Sequence, residues 1–212
     1  MQLYSYFRSS ASFRVRIALG LKGLAYEYMP VHLVRREQLE AGFGELSPTR
    51  LVPVLKDGEA VLTQSMAIIE YLDEMYPQPP LLPADALGRA RVRAIAQHIA
   101  CEIHPLDNLR VLSYLVREMK VAEDDKNRWY RHWVETGLAT VERQLAGHPA
   151  TGRFCHGDTP TLADITLVPQ IFNAQRLECR LDHVPTVMRV FDACMALDAF
   201  VSTQPSACPD AS

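Results

Sequence analysis

The first 76 residues of the chain alternate short apolar runs with segments of helical periodicity. Residues 3–7 are apolar and aromatic, which is typical of a strand. Phe13, Ile17 and Leu21 then recur at a spacing of four and predict a buried helix, and Gly23 follows where a C-terminal cap is expected. Three serines, at positions 9, 10 and 12, lie between the end of the strand and the body of the helix.

A second strand, a short helix, a β-hairpin and a further helix are predicted next. Asp57-Gly58 between two apolar runs is a strong hairpin signal. Pro53 cannot donate to a strand ladder, so it belongs at an edge or a bend, and a cis bond after Val52 would leave that backbone able to pair with another molecule. Ser65 is predicted to cap the next helix. The predicted bounds are strand 25–33, helix 37–43, hairpin strands 52–55 and 60–62, and helix 66–76.

The rest of the chain is predicted to be helical. Residues 77–83 contain four prolines and are interpreted as a linker. Thr161 and Asp164 have the spacing of a capping box. Helices are predicted at about 87–119, 126–145, 161–175 and 185–197. We therefore predict two domains, an α/β domain with a mixed sheet at 1–80 and an all-helical domain at 81–212, whose tail from about residue 203 is loose.

Composition and charge narrow the classes of function. The chain has 212 residues, 48% of them hydrophobic, and a net charge of −3 without a basic block, which disfavours a nucleic-acid partner. No apolar run approaches a bilayer span and no leader pattern is present, so we expect a cytoplasmic protein without a membrane partner. The five cysteines form no CxxC pair and are expected to be free thiols. The histidines form no metal-binding spacing, so no metal is expected.

The serines at the start of the first helix are the first candidates for chemistry. The first N–H groups of a helix have no intrahelical acceptor and attract anions. A serine hydroxyl at this position can cap the helix. It can also donate a hydrogen bond to a bound thiolate or carboxylate. The residues alone leave both interpretations open.

Several segments resemble the zeta class of the glutathione transferases. Residues 9–19, with the sequence SSASFRVRIAL, are similar to the class signature SSCxxRVRIAL. Val52-Pro53, the run QSMAIIEYL at 64–72, and residues 157–170, which contain Gly157-Asp158 and the capping box, match the same class in the same order. Each match is weak alone, but the ordered set extends from residue 3 to about residue 200 and is very specific.

The resemblance implies a fold, an activity and a cofactor. The fold is the two-domain glutathione-transferase fold, with an N-terminal thioredoxin-like α/β domain containing a four-stranded mixed sheet and a C-terminal all-α domain. The activity is glutathione-dependent cis–trans isomerisation of maleylacetoacetate or maleylpyruvate to the fumaryl isomer, in the breakdown of tyrosine or other aromatic compounds. Glutathione is the cofactor, and a homodimer is expected. The alternatives are a general glutathione S-transferase that conjugates electrophiles and a non-catalytic binding protein.

The resemblance also assigns residues to the site. Ser9 is the thiolate partner and Ser10 supports it, and both are the expected catalytic residues. The expected glutathione contacts are Ser9, Ser10, Gln38, Val52, Gln64, Ser65, His104, Asn108, Leu109 and Arg110. The expected contacts of the substrate carboxylates are Arg8, Arg110 and Arg176, because the guanidinium fork matches a carboxylate.

Some of these residues have simpler interpretations. His104 precedes Pro105 and can equally be a hydrogen-bonded histidine at a helix kink. A lone arginine is usually a solvated surface charge. Arg14 and Arg16, two apart on a helix, point to different faces and are interpreted as structural ion-pair residues. Ala11 stands where the class usually has cysteine, which the use of glutathione's own thiol tolerates and a redox role does not.

Overall fold

A computed structural model describes residues 1–211, which separate into two compact units. The first unit is Met1–Pro80 together with the segment from Met195 onward, and the second is Leu81–Cys194. The division at residue 80 coincides with the expected linker. Among the described residues, no helix is long and apolar enough to cross a membrane.

The first unit contains the predicted four-stranded mixed sheet. Its strands are β1 (Gln2–Ser5), β2 (Glu27–Pro30), β3 (Val54–Asp57) and β4 (Ala60–Thr63). They lie in the order β2-β1-β3-β4, with β1 parallel to β2 and the other two pairs antiparallel. The hairpin prediction is confirmed, since Asp57 pairs with Ala60 and Gly58 has a φ of +58°.

The first unit also contains three helices between and after the strands, which are α1 (Ser10–Leu21), α2 (Ala41–Leu46) and α3 (Ser65–Met75). The helix predicted at 37–43 is instead a short 3-10 turn, Glu37–Leu39, followed by α2. The cap predicted at Ser65 is also shifted, because Ser65 is already the first residue of α3 and Gln64 is its N-cap. Buried apolar side chains from β1, α1, β3 and α3 form the core, among them Leu3, Ile17, Leu55 and Ile68, each 0% exposed.

The second unit is helical. Its elements are α4 (Ala86–Gln97), a π-helical turn (His98–Ile103), α5 (His104–Asp107), α6 (Leu109–Arg117), α7 (Glu123–Leu145), α8 (Leu162–Arg176) and α9 (Pro185–Met195). The single helix predicted at 87–119 is therefore wrong. Pro105 has no N–H for an intrahelical bond, and the Asn108 side chain accepts from the Val111 N–H at 3.0 Å, so a new helix begins there.

The predicted capping box at the start of α8 is confirmed. The Thr161 N–H and hydroxyl donate to Asp164 Oδ2 at 2.8 and 2.9 Å. The Cys155 N–H donates to Asp164 Oδ1 at 2.8 Å. Burial raises the pKa of Asp164, and these donors oppose that shift by stabilising the carboxylate. The start of α8 is thereby joined to the loop that precedes it.

The C-terminal segment differs from the expectation of a loose tail in the helical domain. Residues from Met195 onward, with α10 (Asp198–Val201) and a 3-10 turn (Pro205–Ala207), belong to the first unit. Arg16 Nε donates to the Thr203 carbonyl at 3.0 Å, and the Tyr28 hydroxyl donates to Asp210 Oδ1 at 2.6 Å. Polar composition suggests a mobile segment, but specific hydrogen bonds to the buried Arg16 and the half-buried Tyr28 fix this one.

Candidate active site

A tight turn connects β1 to α1 and presents the first predicted site residues. The Ser9 N–H donates to the Tyr6 carbonyl at 2.9 Å and closes the turn. Ser9 is the N-cap of α1, and its Oγ accepts from the Ser12 N–H at 3.2 Å. The capping interpretation is therefore confirmed. It does not exclude the other interpretation, because a hydroxyl that accepts a hydrogen bond still carries its own proton to donate.

The two catalytic candidates differ in accessibility. Ser9 is partly exposed, whereas Ser10, the first residue of α1, is 5% exposed and is already engaged by other groups of the protein. A ligand at the start of α1 therefore meets the Ser9 hydroxyl more readily. The positive end of the α1 dipole favours an anionic ligand at this position.

Arg8 places a cation in the same turn. Its Nε and Nη2 donate to the Tyr6 hydroxyl at 3.2 and 2.9 Å. Its guanidinium carbon lies 5.2 Å from the centroid of the Phe7 ring. The Tyr6 side chain is buried, so it fixes the exposed Arg8 beside Ser9. Arg8, Ser9 and Ser10 therefore lie together in this turn.

The segment before α3 carries the next candidates. Val52 is buried, its bond to Pro53 is cis, and β3 begins at the following residue, Val54. Gln64 has a φ of +69° and a ψ of 114°, a conformation that costs a non-glycine residue roughly 1–3 kcal/mol and clusters at functional sites. Sequence reasoning did not find this strain, because no local signal in the sequence requires it.

A buried arginine lies behind the start of α3. Arg14 Nη1 lies 3.4 Å from Ser65 Oγ, and Arg14 is 2% exposed. The contact joins α1 to α3 and places positive charge behind an N-terminus that already favours anions. The sequence indicated only that Arg14 was structural, since the pairing spans 51 positions.

Gln38 lies in the 3-10 turn that precedes α2. Its amide oxygen is buried, and within the described part of the chain no group donates a hydrogen bond to it. A buried acceptor without a donor is costly, and because the protein itself covers this oxygen, the glutathione contact expected of Gln38 stays a prediction.

In the second unit, four predicted residues cluster where the π-helical turn, α5 and α6 meet. His104 begins α5 and is engaged by other groups of the protein, which fits the interpretation as a satisfied histidine at a helix kink. Asn108 caps α6, a structural role. Leu109, 49% exposed, and Arg110 are exposed in the first turn of α6 and remain accessible to ligands.

Arg176 is the last residue of α8, and it shares with Asp107 of that cluster a neighbour on α7, Tyr130. It lines a cavity of about 210 Å³ with Asn127, Tyr130, Arg131, Leu177 and Glu178. Burial raises the pKa of Tyr130, and the nearby Arg176 partly offsets this rise. A larger cavity of about 730 Å³ between α4 and the end of α7 contains none of the predicted site residues.

Sequence reasoning missed Asp107, which lies between His104 and Asn108. Both of its carboxyl oxygens are buried, and within residues 1–211 neither has a hydrogen-bond partner. Burial raises the pKa of Asp107 to about 8. Its aspartate identity gave no signal, because the same residue type at a helix end is usually solvated.

Comparisons with known proteins bear on the family and the fold. The chain matches the family models for the N-terminal domain of glutathione S-transferases over residues 3–80 and for the C-terminal domain over residues 127–200. It is 48% identical over 211 residues to a probable maleylacetoacetate isomerase of Vibrio cholerae, covering 99% of this chain and 97% of that one.

Two solved structures are similar over the full length of both chains. One is a holo maleylpyruvate isomerase, described as a bacterial zeta-class glutathione S-transferase, with a TM-score of 0.98 and 48% identity. The other is a maleylacetoacetate isomerase from Methylobacterium extorquens with bound malonate and glutathione, with a TM-score of 0.97 and 38% identity.

The chain belongs to the glutathione S-transferase family. Within that family it falls in the zeta class, among the maleylacetoacetate and maleylpyruvate isomerases. The predicted fold is confirmed by the same comparisons.

Proposed function

We propose that the protein is a glutathione-dependent cis–trans isomerase that converts maleylacetoacetate or maleylpyruvate to the fumaryl isomer in the breakdown of aromatic compounds. The observation that carries the proposal is the turn before α1, where a partly exposed hydroxyl on Ser9, a helix N-terminus and the guanidinium of Arg8 lie together. Relatives that share this fold over their full length are named for the same isomerisation.

The chemistry needs a nucleophile that leaves again. Rotation about a C=C bond is prohibitively slow, whereas addition of a thiolate turns that bond into a single bond that rotates freely. Expulsion of the thiolate then gives the trans alkene and regenerates the thiol. This is covalent catalysis by a borrowed sulfur, so glutathione is a cofactor and is not consumed.

The thiol must be ionised near neutral pH. A free thiol has a pKa near ~8.5, and both a helix N-terminus and a hydroxyl donor favour the thiolate. Ser9 supplies the donor and α1 supplies the dipole. Ser10 supports the turn from its buried position and stabilises charge without acting as a base.

The remaining glutathione contacts are assigned to backbone groups, to a helix N-terminus and to polar side chains. The backbone of Val52 pairs with the cysteinyl part as an added strand. Gln64 and Ser65 bind the γ-glutamyl carboxylate at the start of α3, with Arg14 behind it. Gln38 contacts the glycyl end. The expected contacts in the second unit are His104, Asn108, Leu109 and Arg110.

Two carboxylates on the substrate require cations. Arg8, Arg110 and Arg176 are assigned to them, because a guanidinium binds a carboxylate through two parallel hydrogen bonds. The cavity beside Arg176 supports its assignment. A positive charge near the reacting alkene also stabilises the enolate that forms when the thiolate adds.

The function is tested by following the ultraviolet absorbance of maleylpyruvate and of maleylacetoacetate with and without glutathione. We expect loss of the maleyl absorbance that requires glutathione but leaves its concentration unchanged. Consumption of glutathione with formation of a stable adduct would instead favour a general glutathione S-transferase. No reaction with either diacid would overturn the proposal.

The substrate role of Arg176 makes a separate prediction. Arg176→Ala should lower kcat/KM for the diacid by roughly 10- to 150-fold, the range set by losing a hydrogen bond to a charged group. The KM for glutathione should stay near its original value. Arg128→Ala on the exposed face of α7 is the matched control. A loss of glutathione affinity alone would contradict the assignment.

We further propose that the protein acts in the cytoplasm as a homodimer. The resemblance to the zeta class supports the homodimer. Light scattering coupled to size exclusion tests it, and a mass near 23.9 kDa for the eluting species would contradict it.

A further inference from the structure

Two charged side chains hold the peptide groups that precede Ser9, one from the following helix α1 and one from the C-terminal segment. The Phe7 N–H donates to Asp210 Oδ2 at 3.1 Å. The Phe7 carbonyl accepts from Arg16 Nη2 at 3.1 Å. An anion therefore holds the N–H of Phe7 and a cation holds its C=O, and Phe7 lies two residues before Ser9.

Both charged groups are themselves fixed in place. Arg16 is 1% exposed, and its guanidinium also donates to Ser5 Oγ at 3.1 Å and to the Thr203 carbonyl at 3.0 Å. Asp210 Oδ1 accepts from the Tyr28 hydroxyl at 2.6 Å. Burial and this hydrogen bond raise the pKa of Tyr28, so it remains a protonated donor.

The geometry links these contacts to the site. The Tyr6–Phe7 peptide contributes its N–H to Asp210 and its carbonyl to the Ser9 N–H, which closes the turn. Ser9 in turn caps α1 through the Ser12 N–H. A shift of the Phe7 N–H is thus passed through one peptide group to the backbone of Ser9 and to its hydroxyl.

We propose that Asp210 is a positioning residue for the active site, which acts with Arg16 to fix the Tyr6–Ser9 turn and so holds the Ser9 hydroxyl where it can donate to the glutathione sulfur. Its effect on the thiolate rests on the proposed function, whereas its effect on the turn does not. Asp210 touches neither substrate nor cofactor in this role. It acts through the backbone of Phe7.

Three variants separate the elements of this arrangement. Asp210→Ala removes both acceptors. Asp210→Asn keeps one amide oxygen for the Phe7 N–H and can donate to the Tyr28 oxygen, so it should restore most of the geometry. Tyr28→Phe keeps the Asp210 carboxylate and removes only the donor that orients it. Asp198→Asn, an exposed carboxyl in the same unit, controls for the loss of charge.

The first measurement is amide hydrogen exchange by NMR without any ligand. In Asp210→Ala, the amides of Phe7, Ser9 and Ser12 should exchange roughly tenfold faster or more, because a hydrogen bond to a charged group is lost. Tyr28→Phe should give a smaller change of the same sign, and Asp210→Asn should lie near the wild type. Amides of β3 and α3 should be unaffected, which a general loss of stability would not produce.

The second measurement is the pKa of the glutathione thiol in the binary complex, from the thiolate absorbance. Asp210→Ala should reduce the thiolate fraction at pH 7 several-fold and lower kcat, with the KM for the diacid little changed. Asp210→Asn should recover most of both values, and Asp198→Asn should match the wild type.

Each outcome decides a separate point. Unchanged exchange at Phe7, Ser9 and Ser12 would overturn the proposal, as would acceleration spread evenly over the first unit. Faster exchange with an unchanged thiol pKa would show that Asp210 holds the turn but does not position Ser9 for sulfur, which also overturns it. If the wild-type protein binds no glutathione, the proposed function is wrong. The exchange rate of the Ser12 amide, which donates to the Ser9 hydroxyl, would then decide whether Asp210 positions Ser9.

Discussion

At the scale of the residue, Ser9 combines a structural and a chemical task that substitution can separate. Alanine at an N-cap costs about 0.5–2 kcal/mol, whereas glycine costs only a few tenths. Both remove the hydroxyl. We therefore expect Ser9→Ala and Ser9→Gly to raise the pKa of the bound glutathione thiol equally, by roughly one to two units. Only Ser9→Ala should lower the melting temperature clearly.

The comparison with Ser10 completes this prediction. Ser10 is 5% exposed, so Ser10→Ala should change the thiol pKa less than either Ser9 variant. Calorimetry gives the stability and ultraviolet titration of the complex gives the pKa. A thiol pKa that tracks melting temperature across the three variants would mean that Ser9 acts only as a cap.

At the scale of the element, α5 contains a buried carboxyl that is unfavourable when ionised. It is four residues long, follows a π-helical turn and contains Asp107, whose buried carboxyl has no hydrogen-bond partner among residues 1–211. Burial raises the pKa of Asp107, because the carboxylate form would be poorly solvated there. Folding therefore favours protonated Asp107.

This arrangement predicts a pH dependence of stability. The pKa of Asp107 is about 8 in the folded protein, whereas the ordinary pKa of an aspartate is about 3.8. Because folding raises this pKa, its stabilising contribution is complete below pH ~4 and is lost as the pH rises through 8. Asp107→Asn should flatten this slope and raise the unfolding free energy at neutral pH by roughly 1–3 kcal/mol.

Urea denaturation at pH 5, 7 and 9 measures the effect, with Asp192→Asn on the exposed face of α9 as the control. An unchanged slope in Asp107→Asn would contradict the buried, protonated state. A gain in stability accompanied by loss of isomerisation would indicate that the unpaired carboxyl is kept for function.

At the scale of the whole molecule, the sequence predicts what is encoded locally. Asp57-Gly58 and the Thr161–Asp164 box are signals within a few residues, and both the hairpin and the cap are confirmed. The turn containing Ser9 was found for the same reason. The hydrogen bond from Phe7 to Asp210 spans 203 positions, and no local sequence pattern indicates it. A polar segment with prolines therefore gave the wrong expectation of a loose tail.

The contacts of Lys22 are likewise not indicated by any local sequence pattern, and they provide a last prediction. It follows α1, its side chain is 0% exposed, and its ammonium donates to Asp73 Oδ1 at 2.9 Å, to the Tyr76 carbonyl at 2.6 Å and to the Pro79 carbonyl at 2.9 Å. All three donors are satisfied. One buried charge therefore joins α1 to the end of α3 and to the proline-rich segment that closes the first unit.

Removing this charge should be costly, because a partly buried carboxylate and two carbonyls lose the hydrogen bonds that Lys22 donates. We expect Lys22→Met to lower the unfolding free energy by about 3–5 kcal/mol, the usual cost of breaking a buried pair. Lys120→Met, at an exposed position after α6, should change it by less than about 0.5 kcal/mol. Chemical denaturation at neutral pH measures both. Equal effects of the two substitutions would mean that water replaces the lost donors and that the first unit is held together by its apolar core alone.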